Sequence, residues 1–150
     1  MKVIIIVLLI LVVVGIYFSV LGVISRSGQA PGLENNRLVS CGSKPNCVSS
    51  AAPDRADHYI AGISLTASGL TDLRQVISQM GGKVTVERDD YLAAEFKSGL
   101  FGFVDDLELL IDQGQQMVQV RSGSRVGYSD MGVNRKRVEK LRQLLESLDG

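Results

Sequence analysis

Residues 3–24 contain no charged side chain and are almost wholly Val, Ile and Leu. About 22 residues at a rise of ~1.5 Å reach ~33 Å, enough to cross a hydrocarbon core of ~30 Å. Such a run has no place on the surface of a water-soluble domain. It enters a bilayer, or it is cut away. Cleaved signal peptides typically have apolar cores of about 7–15 residues, shorter than this one, and no small-x-small cleavage pattern follows Ser25. The run is therefore read as an uncleaved anchor contacting the lipid bilayer through residues 3–24. The chain then divides into a transmembrane anchor (1–25), a flexible tether (26–37) rich in Gly, Ser, Asn and Gln with Pro31, and a soluble domain (38–150).

Lys2 lies on one side of the anchor and Arg26 and Arg37 on the other, so flanking charge barely selects an orientation. The cysteines are more informative. Cys41 and Cys47 bracket CGSKPNC, a short loop with a Pro45-Asn46 turn. As a disulfide it would add about 2 kcal/mol of stability in the chain-entropy picture and would require an oxidising compartment. That places the N-terminus in the cytoplasm and the domain outside it. Other readings of these cysteines are weaker. Zinc wants four ligands, and Cys41, Cys47 and His58 make three, so no metal is expected. Redox catalysis usually uses Cys-x-x-Cys. A lipoprotein box at Leu38-Val39-Ser40-Cys41 would have to follow the apolar run directly. His58, the single histidine, is read as a surface or capping residue because no nucleophile has a recognisable partner.

Periodicity predicts the domain's elements. Residues 59–65 read as a short strand. Leu70, Leu73, Val76, Ile77 and Met80 recur at helical spacing, and Gly81-Gly82 ends the helix. KVTVE and YLAAEF form a hairpin around Arg88-Asp89-Asp90, FGFVDDLELLID and MVQVRSGSRV are further strands, and a last helix ends near Leu148. Tight turns imply antiparallel pairing. The expected fold is α+β: an N-terminal transmembrane helix, then an antiparallel sheet of 4–5 strands with two helices packed on one face.

Lysines and arginines balance aspartates and glutamates at 16 each, but acidic residues gather in 87–112 and basic ones in 121–142. The two regions should attract each other within the fold. A nucleic-acid partner is not expected, since the domain has neither a net basic charge nor interleaved aromatics. Strand alternation puts Val118, Val120, Ser122 and Ser124 on one face, with Arg121 and Arg125 on the other. Asp105, Asp106 or Glu108 on the preceding strand can oppose those arginines. On the last helix Val138, Leu141, Leu145 and Leu148 form a stripe, and Asn134 and Arg137 fall in the same arc. Arg137 is therefore aimed at the sheet, where an unpaired guanidinium is prohibitive. Arg135, Lys136, Lys140 and Arg142 read as a solvated face, with Arg135–Glu139 an i,i+4 pair. Asp130 or Asn134 caps this helix. Arg121, Ser122, Ser124, Arg125, Asn134 and Arg137 are thus the candidate ligand-binding residues, with Asp105, Asp106, Glu108 and Asp130 as acidic partners.

CGSKPNCVSS, FVDDLELL and RSGSRVGYSDMGVNRKRVEKLR, in that order over about residues 38–145, resemble domain-of-unknown-function family fourteen ninety-nine, found in bacteria and plastid-bearing organisms, often behind a membrane or export segment. The resemblance implies a bacterial inner-membrane protein with a periplasmic domain. It groups Cys41, Cys47, Asp105, Asp106, Arg121, Ser124, Arg125, Gly127, Asp130, Asn134, Arg135 and Arg137 in one constellation and carries over neither activity nor cofactor. The expectation is a membrane-tethered, exported binding or scaffold domain whose arginines hold a small anion, an envelope protein or internal carboxylates. The alternative is an envelope enzyme acting on a phosphorylated or carboxylated substrate, with Asp105, Asp106 or Asp130 as general base.

Overall fold

The computed structural model describes residues 1–51, 53–65 and 69–148; the last two residues of the expected 38–150 domain lie outside that description. Helix α1 (Lys2–Ser27) is long and apolar enough to cross a membrane, with a mean hydropathy of 3.3 over its best window. Two short strands, β1 (Leu33–Glu34) and β2 (Arg37–Leu38), pair antiparallel around Asn35 and Asn36. Both asparagines have positive φ, as a tight hairpin requires and as asparagine tolerates.

The main sheet has six antiparallel strands. A meander supplies four of them: β5 (Lys83–Glu87), β6 (Tyr91–Lys97), β7 (Val104–Asp112) and β8 (Met117–Ser124). The far side of β8 is shared by β3 (Cys47–Ser49), opposite Arg121–Gly123, and β4 (Ile63–Ser64), opposite Met117–Val118. The sheet thus exceeds the expected 4–5 strands because its outer column comes in two pieces. Of the strand expected over 59–65, only Ile63–Ser64 forms; Tyr59 makes an isolated parallel bridge to Ser49. β3 was missed, because CVS is too short for alternation to show.

Helices α2 (Leu70–Gln79) and α3 (Val133–Glu146) pack on one face, as the sequence predicts. Leu73, Val76 and Ile77 of α2 and Val138, Leu141 and Leu145 of α3 are buried against Leu92, Leu107, Leu109, Val118 and Val120. Leu148, placed in the same stripe from its phase, lies beyond the end of α3 and is 44% exposed. β7, near the middle of the sheet, is buried on both faces, which explains why it reads VDDLELLID rather than as a clean alternation, whereas the outer strand β5 is mostly exposed.

The second face is covered by the segment expected to be a tether. Leu33 and Leu38 of the small hairpin, with Ala30, pack on Tyr91, Ala93 and Leu110. Its Gly and Asn content serves a tight turn and close backbone approach here. Gly32, at φ 82°, donates its N–H to Glu108 Oε1 at 2.8 Å. Helix α1 also docks. The Ser25 hydroxyl, fully buried, accepts from Val104 N–H at 2.8 Å.

Candidate functional site

The arginines meet the acidic residues through register. Antiparallel pairing sets Glu108 opposite Arg121, and Asp106 opposite both Gly123 and Glu95. On the hairpin-covered face Arg121 Nη1 donates to Glu108 Oε2 at 2.8 Å. The other oxygen of Glu108, a fully buried residue, accepts from Tyr91 Oη and Gly32 N, both at 2.8 Å. Burial, and then the Glu108 carboxylate on its hydroxyl, push the Tyr91 phenol well above its ordinary range. Arg125 grips Asp106 with two bonds, Nε to Oδ2 at 2.8 Å and Nη2 to Oδ1 at 2.6 Å. Its Nη2 also reaches Glu95 at 2.6 Å and its Nη1 the Ser25 carbonyl at 3.2 Å. The fork to Asp106, more than any other contact, raises Arg125 further above its already high range.

On the helix face Arg137 Nη2 donates to Asp105 Oδ2 at 2.7 Å, and its guanidinium lies 4.6 Å from the Phe96 ring centroid. Its Nη1 donates to Ser122 Oγ at 3.1 Å and to Asn134 Oδ1. The amide of Asn134, fully buried, is saturated: Oδ1 also accepts from Ser122 Oγ at 2.6 Å, while Nδ2 donates to Ser124 Oγ at 3.0 Å and the Asn46 carbonyl at 3.2 Å. The N-cap of α3 is Gly132, at φ 78°, rather than Asp130 or Asn134; Asp130, two residues earlier, accepts from Gly132 N at 3.0 Å and from the first-turn Asn134 N at 2.7 Å. Burial alone would raise its carboxyl, but these two backbone donors outweigh it and hold Asp130 below the usual carboxylate range.

A cleft of about 470 Å³ lies between residues 29–33 and Arg88, Tyr91, Glu95 and Arg125. Two smaller ones also adjoin these networks. One, of about 450 Å³, has an apolar floor of Met80, Phe96, Val133 and Leu144, with Lys136, Arg137 and Lys140 at its wall. The other, of about 360 Å³, lies under Gly28, Gln29 and Pro31 beside Arg121, Arg125 and Asp106. Arg121 Nε, buried, has no hydrogen-bond partner among the described residues.

The sequence matches the family described as "Protein of unknown function (DUF1499)" over residues 37–145, well over half of its length. The chain belongs to this family. No curated protein and no solved structure matches it significantly.

Within this DUF1499 chain the candidate residues separate by face. Arg121 and Arg125 share the hairpin side with Asp106 and Glu108, whereas Ser122, Ser124, Asn134 and Arg137 share the helix side with Asp105. Asp130 stands apart, at the start of α3. Cys41 and Cys47 are at disulfide distance, with Cα atoms 5.7 Å apart. Among the described residues no His/Cys/Asp/Glu cluster has metal-binding geometry. His58, expected in a surface or capping role, is fully buried. Its Nδ1 sits 2.9 Å from the Cys47 carbonyl; its Nε2 is 3.0 Å from Asp57 Oδ2, in a direction that makes no hydrogen bond. The expected solvated face is also partly engaged. Arg142 donates to the Gly62 and Ala61 carbonyls at 2.6 and 2.8 Å, and Arg135 donates to the Asp57 carbonyl rather than pairing with Glu139.

Sequence reasoning missed Glu95, Tyr91, Phe96 and Asn46. Alternation along YLAAEF does carry a signal for the first three, since Tyr91 and Glu95 must share a face and Phe96 must take the other. Asn46 donates to the Gly127 carbonyl at 3.0 Å, tying the cysteine loop to the glycine turn after β8. Nothing local predicts that contact.

Proposed function

We propose that this is a membrane-tethered, exported binding or scaffold domain whose arginine-rich centre serves mainly its own carboxylates. In this reading residues 1–25 lie in a bacterial inner membrane, with the N-terminus cytoplasmic and the domain periplasmic. One observation carries the proposal. Each of the three inward arginines has a carboxylate oxygen within 2.8 Å, so the strongest anion sites of the domain are already occupied. The orientation is supported by the Cys41–Cys47 geometry, since disulfides persist in oxidising compartments.

A second reading draws on the cleft lined by Lys136, Arg137 and Lys140. Among the described residues neither lysine makes an ion pair, as a site for a phosphorylated or carboxylated envelope substrate would require. Thermal unfolding of the full chain in detergent micelles separates the two. The scaffold reading expects no rise in midpoint with millimolar inorganic phosphate or citrate. A rise that disappears in Arg137→Ala, in a variant that still unfolds cooperatively, would replace it with the ligand-site reading.

A further inference from the structure

The connection between β6 and β7, residues 98–103, reads SGLFGF. It runs alongside α1. The Phe101 ring stacks on Phe18 with centroids 5.2 Å apart, and Phe103 meets the same ring edge-on at 6.3 Å. Gly22 makes this approach possible, because a Cβ there would lie 2.1 Å from the Phe101 carbonyl oxygen. Phe18 lies six residues before Ile24, the last residue of the uncharged run, or ~9 Å along the helix at ~1.5 Å per residue. That run exceeds a hydrocarbon core of ~30 Å by only a few ångströms, so Phe18 cannot stand clear of the lipid.

We propose that the β6–β7 loop enters the lipid bilayer beside α1, with Leu100 as its acyl-chain contact. This rests on α1 spanning the membrane. Leu100 is 84% exposed at the tip of a loop that stacks on a membrane-level ring, an arrangement that is unfavourable in water and favourable in lipid. Backbone that meets lipid must have its polar groups satisfied; the base of this loop is closed by its own bonds, and α1 supplies a donor nearer its tip. Ser98 N donates to the Phe103 carbonyl at 2.8 Å, Phe103 N donates to Ser98 Oγ at 2.9 Å, and Arg26 Nη1 donates to the Phe101 carbonyl at 3.1 Å. The charges are placed accordingly. The Arg26 and Lys97 side chains converge on Gly102, at the neck of the loop, where headgroup phosphates would lie.

The chain has no tryptophan, so single-tryptophan variants report without background. Leu100→Trp, Leu9→Trp in the anchor and Tyr128→Trp on the domain surface all replace exposed residues. Each full-length variant is reconstituted in phosphatidylcholine–phosphatidylglycerol vesicles with brominated acyl chains. Leu100→Trp should emit at shorter wavelength than Tyr128→Trp, lose emission to the brominated chains as Leu9→Trp does, and resist aqueous iodide. If Leu9→Trp is quenched by lipid while Leu100→Trp behaves like Tyr128→Trp, the loop proposal fails and the anchor stands. If Leu9→Trp is not quenched either, the spanning reading fails and the loop proposal falls with it.

Discussion

Arg125 shows how a single guanidinium distributes its donors. Two go to Asp106, one is shared with Glu95, and one goes to the carbonyl that ends the anchor. Removing one member of a buried ion pair leaves the other charge stranded, whereas replacing both with apolar groups can be neutral. Arg125→Met should therefore cost about 3–5 kcal/mol in chemical unfolding of the micelle-bound chain, and Arg125→Met/Asp106→Leu should recover most of that. Glu95 does not spoil the comparison, since it is a third exposed and can turn to water. Asp130 offers a pH-dependent counterpart. Asp130→Ala should cost about 1 kcal/mol through loss of its hydrogen bonds to the backbone at the start of α3. Its carboxyl is lowered in the folded state, so the ionic part of that contribution is present above the unfolded value of about 3.9 and is lost as pH falls through the folded one. The gap between wild type and Asp130→Ala should be full at neutral pH and narrow in acid, as read by unfolding at each pH.

At the scale of elements, helical phase and strand alternation made much of the domain legible. They placed α2, α3 and the four meander strands, put both helices on one face, and aimed Arg137 inward, where its side chain is 8% exposed. Alternation also separated Arg121 and Arg125 from Ser122 and Ser124. The pairing of arginine with carboxylate was half visible, because the acidic strand directly precedes the basic one. What remained hidden was long-range. β3 is three residues, and β4 two, recruited by an edge of β8. The hairpin of β1 and β2 looks like linker because its pattern is set by another element's apolar face. The docking of α1 hangs on one small residue. Gly22→Leu should displace the β6–β7 loop and weaken the Ser25–Val104 bond. Amide exchange at Val104 should then speed up by about tenfold while Leu109 stays protected, a change equivalent to losing one net hydrogen bond.

As a whole the molecule is a sheet covered on both faces, by two helices on one side and by the segment that follows α1 on the other. Its charged centre is likewise two networks back to back, separated by the thickness of the sheet, so a reading that pools the arginines mixes groups with different neighbours. The contacts of Ser25 carry a consequence for how such a chain comes together. Its partners, Val104 and Arg125, lie 79 and 100 residues further on. Neither is in position until β6, β7 and β8 have zipped, and contacts of such separation form late. Helix α1 is therefore docked only after the strands that receive it have formed. In the membrane-spanning reading proposed above, a chain caught part-way would present the notch at Gly22 to other membrane helices, and small-residue surfaces of that kind are where such helices associate.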